Sequence, residues 1–370
     1  MRVALVLAGP YPELRGSQVL VRQLADGLRG RGHEVHPVTY GATGPVTPGL
    51  RPGRLARDAA LAYRLWRTVH EFSVDVIHAH NYEAAIAALI VGRLVGTPVV
   101  YHGHNALAEE LPTYFRRAGA RRLAAAVGRL LDATVPRRAD FCIAVSEELG
   151  EILRRRGVAE AGLACIPPAA APVRRGKGPE GGPTGDLVCY AGNLDGYQNL
   201  DFLLRSFARV RARVPGARLV VATHAVWPSS SAAGAGVEIV RAGSYDEVRA
   251  LLDAAAVAVS TRTERSGFPM KLLNYMAAGK AIVALAGGAK GLRDGVTARI
   301  VPDGDEDAFA AAVAELLVDS AERRRLGTAA RRVVEDPVAW DTVLDRIEAI
   351  YRRVVVRGAA PAAVPVLAGR

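Results

Sequence analysis

The chain has 370 residues, half of them hydrophobic, and a formal net charge of +11. This length is too great for one ordinary core, so two domains are expected. The positive charge suits an acidic ligand, an anionic membrane surface or nucleic acid. Nucleic acid is the least favoured of these, because the sequence contains no aromatic-studded basic strand of the kind that binds RNA. No apolar run approaches the roughly 20 residues that a membrane span needs.

The three cysteines, Cys142, Cys165 and Cys189, lie in apolar, strand-like runs and form no C-x-x-C pair. They therefore indicate neither a zinc site nor a disulfide framework, and they favour a reducing, cytoplasmic location. The apolar residues at the start of the chain are followed at once by Pro10 and Glu13. They therefore predict a first β-strand rather than an export signal.

Short apolar runs alternate with helical patterns from the start of the chain, which is typical of a parallel α/β sheet. The first strand, over 3–8, leads into a turn-rich loop that contains Tyr11 and Gly16. Further strands are predicted over 34–39, 74–80, 98–104 and 139–146. Helices are predicted over 17–28, 59–72, 81–96 and 147–157.

A segment dense in proline, glycine and basic residues predicts a linker over 171–185, after which the α/β pattern starts again. Strands are then predicted over 187–191, 217–222, 237–242, 257–261, 281–285 and 297–301. Helices are predicted over 199–214, 245–255, 305–318, 320–334 and 340–355. We therefore expect an N-terminal domain over 1–170, a C-terminal domain over 186–338, a terminal helix within 339–357 that crosses back to the N-terminal domain, and a disordered tail over 358–370.

The stretch from 266 to 280 lies between two predicted strands and has the signals of a short helix. Ser266 is a plausible N-cap, Pro269 fits the first helical turn and Gly279 is a usual C-terminal signal. The apolar stripe that is predicted to pack on the sheet consists of Met270, Leu273, Met276 and Ala277.

The other face of this helix carries Lys271 and Asn274 near its N-terminus. Free backbone N–H groups and the positive end of the helix dipole favour an anion there, and Lys271 makes phosphate the expected ligand. The alternative is an ordinary βαβ unit with a solvated lysine. In such sheets ligands bind beyond the C-terminal strand ends, so a cleft between two facing halves is the expected active site.

Several segments in this order and spacing resemble the GT-B glycosyltransferases of the family 4 type. The resemblance extends from residue 2 to about residue 351. It rests on Gly16 in the first loop and on the segments PVVYHGH at 98–104, ADFCIAVS at 139–146, AGNL at 191–194 and SGFPMKLLNYMAAG at 266–279. It implies a GT-B fold, in which two Rossmann-like domains with parallel sheets face an interdomain cleft.

The resemblance assigns roles to residues of the first domain. A glycine at the position of Gly16 lets the backbone approach the donor diphosphate or the acceptor, as a residue without Cβ can. The position of His104 lies at the reacting sugar, so His104 is the expected catalytic residue; the alternative is a histidine that ties down a loop. The acceptor is expected near Tyr11, His80 and Asn81.

The second domain departs from the family pattern at four charged positions. The arginine and lysine that usually hold the diphosphate are matched by Asn193 and Gln198, and the paired glutamates by Ser266 and Asn274. Glu264 lies two residues before the first glutamate position and is a possible substitute. The donor phosphates are expected over Gly267, Phe268 and Lys271, and Arg262 and Arg265 are expected to compensate for the missing cations.

These features predict a glycosyltransferase that uses a nucleotide sugar, UDP- or GDP-linked, with no metal and no further cofactor. The resemblance implies retention of anomeric configuration. A non-catalytic GT-B protein that binds sugar nucleotides through a degenerate site is the main alternative. A sugar-nucleotide epimerase would need further cleft carboxylates, and a two-lobed solute-binding protein would need an export signal; neither feature is evident.

The segment 116–138 alternates arginines with leucine, alanine and valine. Such segments bind anionic membrane surfaces, and many members of the family act on lipid-linked acceptors. We therefore expect a small-molecule or lipid-linked acceptor and a cytoplasmic protein that contacts the inner face of the membrane. The alternative is an ordinary surface helix in an arginine-rich chain.

Overall fold

The computed structural model describes residues 1–11, 16–41, 52–169, 185–224, 227, 234–335 and 337–359. Within these ranges the chain forms two six-stranded sheets in which all strand pairs are parallel. The predicted α/β architecture is therefore confirmed. The predicted linker lies outside the described residues except for residue 185, and the predicted tail except for 358 and 359.

The first sheet has the strand order β2-β1-β3-β4-β5-β6. Its strands are β1 (Arg2–Leu7), β2 (Glu34–Thr39), β3 (Val76–His80), β4 (Val99–Gly103), β5 (Phe141–Ala144) and β6 (Leu163–Cys165). Every residue of the two central strands β3 and β4 is buried. Strands with helices on both faces are buried in this way, which is why they appear in the sequence as continuous apolar runs.

Within the described residues, six α-helices lie between β1 and β6 in the chain and accompany this sheet. They are α1 (Gly16–Gly30), α2 (Pro52–Phe72), α3 (Tyr82–Val95), α4 (Leu107–Glu110), α5 (Ala118–Thr134) and α6 (Glu147–Arg155). The Ser146 side chain caps α6 by accepting a hydrogen bond from the Leu149 N–H. The segment between β4 and β5, which contains α4 and α5, folds back over the carboxyl end of the sheet and forms part of the cleft described below.

The second sheet has the order β12-β11-β10-β7-β8-β9. Its strands are β7 (Leu187–Ala191), β8 (Arg218–Thr223), β9 (Val237–Arg241), β10 (Val257–Ser260), β11 (Ala281–Leu285) and β12 (Arg299–Val301). The helices around it are α7 (Leu200–Arg213), α8 (Tyr245–Ala254), α9 (Met270–Ala277), α10 (Glu306–Val318) and α11 (Ser320–Val334).

The last helix, α12 (Pro337–Ala359), packs against the first sheet rather than the second. Its buried residues Leu344, Ile347 and Tyr351 contact the core that contains Val3 and Leu5 of β1. The burial of these side chains holds α12 on the face of the first sheet that also carries α1. Among the described residues, no helix combines the length and the apolarity needed to cross a bilayer.

Candidate active site

A cavity of about 1110 Å³ lies between the carboxyl edges of the two sheets. Both halves of the chain line it, as expected for two facing α/β units. The predicted site residues in its lining are Gly16, Asn81, His104, Asn193, Gln198, Arg262, Glu264, Ser266, Phe268, Lys271 and Asn274. The cavity lining does not include Tyr11, His80 or Gly267.

Helix α9 forms part of the cavity wall that the second half contributes. It begins at Met270 with Pro269 at the N-cap position, so the predicted cap at Ser266, four residues earlier than Met270, is wrong. Pro269 tolerates this position because it has no N–H to satisfy. The helix packs on the sheet through Leu272, Leu273, Tyr275 and Met276. Of the predicted stripe, Leu273 and Met276 are buried, whereas Met270 and Ala277 are half-buried.

The ammonium of Lys271 is held inside the cavity wall by neutral groups. Its Nζ donates a hydrogen bond to Gln198 Oε1 at 2.7 Å and lies 4.0 Å from the centre of the Tyr190 ring. Gln198 Nε2 in turn donates to Asn193 Oδ1 at 2.7 Å. Burial, followed by the positive charge of Arg262, lowers the pKa of Lys271 well below its usual value. An anion bound here would favour the charged ammonium.

Arg262 lies beside Lys271 and is the second cation of this wall. Its Nε is 3.5 Å from Glu264 Oε2, and its guanidinium lies 5.1 Å from the centre of the Tyr197 ring. Gly267 allows this placement, because a Cβ there would be 2.2 Å from an Arg262 nitrogen. Burial raises the pKa of Glu264 while Arg262 opposes the rise. Arg265, which was expected to add a further cation, is exposed and does not line the cavity.

Ser266 joins the two halves of the molecule instead of offering a free side chain to a ligand. Its N–H donates to Glu109 Oε2 at 3.2 Å, its Oγ accepts from the Ala106 N–H at 3.1 Å, and its carbonyl accepts from Ser146 Oγ at 2.9 Å. Its residue exposure is 1%. The sequence could not show this, because its three partners lie in the other half of the chain.

His104 lies directly after β4 and is half-buried in the wall of the cavity that the first half of the chain contributes, called the first wall below. Its Nε2 is 3.0 Å from His80 Nδ1. Burial lowers the pKa of His104 to about 4, so its imidazole is neutral at physiological pH. Such a ring can donate or accept one hydrogen bond from its other nitrogen, Nδ1.

The three predicted acceptor residues have different positions. Asn81 lines the cavity with φ 70° and ψ 168°, a backbone conformation that is costly without glycine and that is concentrated at functional sites. His80 is fully buried behind His104, so it is not placed to contact an acceptor. Tyr11 packs against the apolar core beneath the first sheet, and its prediction as an acceptor contact is not supported by the cavity lining.

Sequence reasoning missed the segment around α4. Glu110 lines the cavity and accepts a hydrogen bond from the Tyr114 hydroxyl at 2.5 Å. The buried carboxylate of Asp132 on α5 fixes this segment by accepting from the N–H groups of Leu107 and Ala108 and from the Tyr82 hydroxyl. An aspartate on the otherwise apolar inward face of α5, which also presents Ala124 and Gly128, was the available signal, because a buried carboxylate needs such partners.

Two family models match successive parts of the chain. The model described as Glycosyltransferase Family 4 matches residues 14–173, and the model described as Glycosyl transferases group 1 matches residues 185–319. Together they cover most of the chain, including every described strand except β1. The chain belongs to the family 4 type of GT-B glycosyltransferases. The predicted family, fold class and enzyme class are thus confirmed.

Individual proteins agree with this assignment. The phosphatidyl-myo-inositol mannosyltransferase of Mycobacterium leprae (strain TN) is 25% identical over 380 residues, which cover 97% of this chain and 98% of that protein. Sucrose-phosphate synthase from Thermosynechococcus elongatus superposes with a TM-score of 0.76 at 19% identity, over 96% of this chain and 99% of the other. Anabaena HepE in complex with UDP and glucose gives a TM-score of 0.70 at 16% identity, over 95% and 100% of the two chains. The two solved structures support the fold of this glycosyltransferase.

Proposed function

We propose that this glycosyltransferase takes its sugar from a UDP- or GDP-linked donor whose diphosphate binds at Lys271 and Arg262. The observation that carries the proposal is the half-buried Lys271 side chain, whose Nζ donates a hydrogen bond to a neutral amide oxygen. This side chain lacks a full counter-charge, and burial lowers its pKa. A diphosphate would supply that charge, and the N-terminus of α9 would add backbone donors. The neighbour solved with UDP and glucose is consistent with this donor class.

The same two cations give a reason for transfer without a metal ion. Negative charge grows on the diphosphate as the nucleotide leaves, and prearranged positive groups stabilise that charge. An Asp-x-Asp pair occurs at Asp303 and Asp305, but Asp303 accepts from the Gly287 N–H and Asp305 caps α10. Neither aspartate lines the cavity. Retention of configuration remains a proposal that rests on the family resemblance.

Two successive experiments test the identity of the donor and the role of Lys271. Thermal-shift screening against UDP, GDP, ADP and dTDP sugars identifies the nucleotide, because a ligand that binds the native state raises the melting temperature with its occupancy. Calorimetric titration then compares the wild type with Lys271→Met. We expect this substitution to weaken donor binding by about 10- to 100-fold and to reduce transfer by at least that factor.

Lys290→Ala is the matched control, because Lys290 pairs with Glu148 and does not line the cavity. It is expected to retain donor affinity and transfer. Unchanged donor binding and turnover in Lys271→Met would refute the assignment of Lys271 to the diphosphate. Equal losses in both variants would show that any lysine substitution disturbs the fold.

The acceptor is proposed to be a lipid-linked molecule. Large apolar side chains line the cavity and are exposed at its mouth. They come from α2, α3, α5 and the segment before α5, and they are Leu55, Ile86, Phe115, Leu123 and Val127. Exposed apolar groups of this size gathered in one place mark an interaction site. A hydrocarbon chain placed along them would bring its polar end to the cleft. The relative from M. leprae is a phosphatidyl-myo-inositol mannosyltransferase by name.

Helix α5 is proposed to rest on an anionic membrane surface. It packs inward through Ala124, Gly128 and Asp132, whereas Leu123 and Leu130 are 67% and 63% exposed. Seven arginines lie on or beside this helix, at positions 116, 117, 121, 122, 129, 137 and 138. Apolar insertion combined with basic charge is the usual basis of peripheral membrane binding.

Vesicle flotation tests this surface. The wild type is expected to bind vesicles that contain anionic lipid at low salt and to be released as the salt concentration rises. Leu123→Asp combined with Leu130→Asp should abolish binding, whereas Val318→Asp, at a 77% exposed valine of α10, should leave it intact. Failure of the wild type to bind anionic vesicles at low salt would rule out the membrane surface while leaving the donor assignment open.

A further inference from the structure

Four of the eight histidines in the sequence form one cluster beneath the first wall of the cavity. His78 and His80 are on β3, His102 is on β4 and His104 follows β4. His80 and His102 are register partners in the parallel sheet, so the alternating side chains at 78, 80 and 102 share one face. Neighbouring rings are 4.5–5.3 Å apart between centroids. The first three rings are 0–2% exposed.

Hydrogen bonds divide this cluster into two chains. In the first, the Tyr351 hydroxyl of α12 is 2.6 Å from His78 Nδ1, and His78 Nε2 is 3.1 Å from His102 Nδ1. In the second, His80 Nδ1 is 3.0 Å from His104 Nε2. One buried nitrogen remains at the end of each chain, because neither His102 Nε2 nor His80 Nε2 has a hydrogen-bond partner among the described residues.

The number of protons fixes the direction of the first chain. A neutral imidazole carries one N–H. If Tyr351 donates to His78 Nδ1, His78 donates from Nε2 to His102 Nδ1, and the only polar group left over is the N–H at His102 Nε2. The opposite direction leaves both the tyrosine hydroxyl proton and a nitrogen lone pair without partners. Since each unsatisfied buried group costs about 1–3 kcal/mol, the first direction is favoured.

The second chain of hydrogen bonds complements the first when His80 donates to His104. His80 Nε2 is then a lone pair, which is the acceptor that the N–H at His102 Nε2 lacks. One ring nitrogen from each of His78, His80 and His102 lies within 4.8 Å of the other two. A small movement of the rings, or one bridging water, would connect all four imidazoles in one direction, from Tyr351 to His104.

The same three buried imidazoles are also a candidate metal site, but charge disfavours it. Burial, followed by the neighbouring imidazoles, lowers the pKa of His78, His80 and His102 below the ordinary histidine value. Among the residues that the structure describes, no carboxylate contributes to these shifts. A divalent cation in this environment would have neutral ligands and no counter-charge, which makes its burial costly.

We propose that His80 is a positioning residue that holds His104 as the tautomer protonated at Nδ1, so that a neutral N–H donor faces the cleft. The function of this donor rests on the proposed glycosyl transfer. There it would bind an oxygen of the donor sugar or its phosphate, which fixes the sugar before the bond to the nucleotide breaks. His78, His102 and Tyr351 would act through His80 by fixing the direction of the hydrogen bonds.

Nuclear magnetic resonance of protein labelled with 15N-histidine tests the tautomer independently of catalysis. His104→Ala assigns the His104 signal in a long-range 1H–15N spectrum. We expect the wild-type His104 signal to have the Nδ1–H pattern, and we expect His80→Ala to convert it to the Nε2–H pattern. His80→Asn, whose amide N–H can occupy the position of His80 Nδ1, should restore the wild-type pattern. Exposed His70 provides the control, as His70→Ala should change nothing at His104.

Kinetics then separate positioning from a structural role. His80→Ala should lower kcat by at least about tenfold with little change in the KM for the donor, and His80→Asn should recover most of this loss. If His80→Ala does not fold, Tyr351→Phe provides the second test, because it removes the first proton donor and should raise the Nε2–H fraction of His104.

Either of two results would overturn the proposal: an Nε2–H pattern for His104 in the wild type, or one equivalent of tightly bound metal that is lost in His80→Ala. Unchanged transfer in His104→Ala would instead refute the catalytic role of His104 and leave the tautomer assignment standing.

Discussion

The two walls of the cleft bury different kinds of ionisable groups. The second wall, which the second half of the chain contributes, contains side chains of both charges: Lys271 donates to Gln198, and Arg262 lies 3.5 Å from Glu264. Burial lowers the pKa of Lys271 and raises that of Glu264. The first wall carries imidazoles that burial keeps neutral, and two of their nitrogens have no partner in the described structure. Buried ionisable groups are tolerated either by pairing or by loss of charge. Among the described residues, an opposite charge is available for pairing in the second wall but not within the histidine cluster of the first.

This difference suggests that the two walls bind different parts of the substrate. The charged wall suits the diphosphate of a donor, whereas the neutral wall suits hydroxyl groups of a sugar, which need hydrogen bonds rather than charge. The stability of the first wall should therefore depend on pH and packing, and donor binding at the second wall should depend on local charge. Four predictions examine this, in order of decreasing effect on free energy.

Acid should destabilise the fold through the first wall. The pKa of His78 is lowered from 6.5 to about 3, and those of His80 and His102 are lowered well below 6.5. The unfolded chain therefore binds more protons than the native state between these values, and stability falls as the pH drops from about 6.5. The pKa of His104 is lowered to about 4 for the same reason. Each ring contributes at most about 1.4 kcal/mol per pH unit, or about 5 to 6 kcal/mol per pH unit for the four.

Urea unfolding between pH 7 and pH 5 measures this slope. His78→Gln should remove about one quarter of it, because one of the four titrating imidazoles is lost, whereas His70→Gln at the exposed surface should leave it unchanged. A slope that is the same in His78→Gln as in the wild type would show that the buried imidazoles do not determine the acid sensitivity.

A methyl group at Gly128 should disrupt the packing of the first wall. A Cβ there would be 2.5 Å from the Ala108 nitrogen and 2.6 Å from the Leu107 oxygen, so α5 would have to move away from α4. Gly128→Ala is expected to lower the free energy of unfolding by roughly 3 kcal/mol. Gly119 lies in the same helix with nothing within 4 Å of such a Cβ. Gly119→Ala should be neutral or stabilising by up to about 1 kcal/mol, and equal effects of the two changes would contradict the close contact.

A negative charge at Gln198 should weaken the donor site without unfolding the protein. Gln198→Glu keeps an oxygen 2.7 Å from Lys271 Nζ but neutralises the ammonium that the diphosphate is proposed to need. Donor affinity should fall about tenfold, which is about 1.4 kcal/mol, while the melting temperature stays the same or rises. Calorimetric titration at two salt concentrations gives the control, since high salt should narrow the gap between variant and wild type. Unaltered donor affinity would show that donor binding does not depend on the charge of Lys271.

Breaking the ion pair between Lys290 and Glu148, which connects the two halves, should have the smallest effect. The Lys290 side chain is 13% exposed and the Glu148 side chain 45% exposed, and ion pairs that water can reach contribute little. Lys290→Ala is expected to change the free energy of unfolding by less than about 1 kcal/mol. A greater loss in denaturant titration would indicate that this pair, rather than the hydrogen bonds of Ser266, holds the halves together.

Within the described residues, local patterns in the sequence predicted every strand except β6 (Leu163–Cys165), and they predicted helix α9 apart from its N-cap. The apolar runs at 257–261 and 281–285 correspond to buried parallel strands, and the face of α9 with Lys271 and Asn274 lines the cleft. These features depend on side-chain periodicity within one segment, which a sequence displays directly.

The roles of Ser266, His80 and Asp132 could not be predicted in the same way. Ser266 is hydrogen-bonded to residues more than 100 positions away, and His80 is hydrogen-bonded to the ring of His104, 24 residues later. Asp132 stabilises a short helix after β4 that has no recognisable motif. Each role depends on which partner the fold brings close, and no local pattern encodes that partner.

The packing of α12 has a consequence for biosynthesis. The ribosome completes the first sheet at Cys165, but Pro337, where its covering helix begins, follows about 170 residues later. At roughly 5–20 residues per second, the nascent domain waits on the order of ten seconds or longer with an apolar face uncovered. The second half, whose strands and helices are contiguous in sequence from Leu187 to Val334, has no such delay. Chaperone demand during translation should therefore come mainly from the first half.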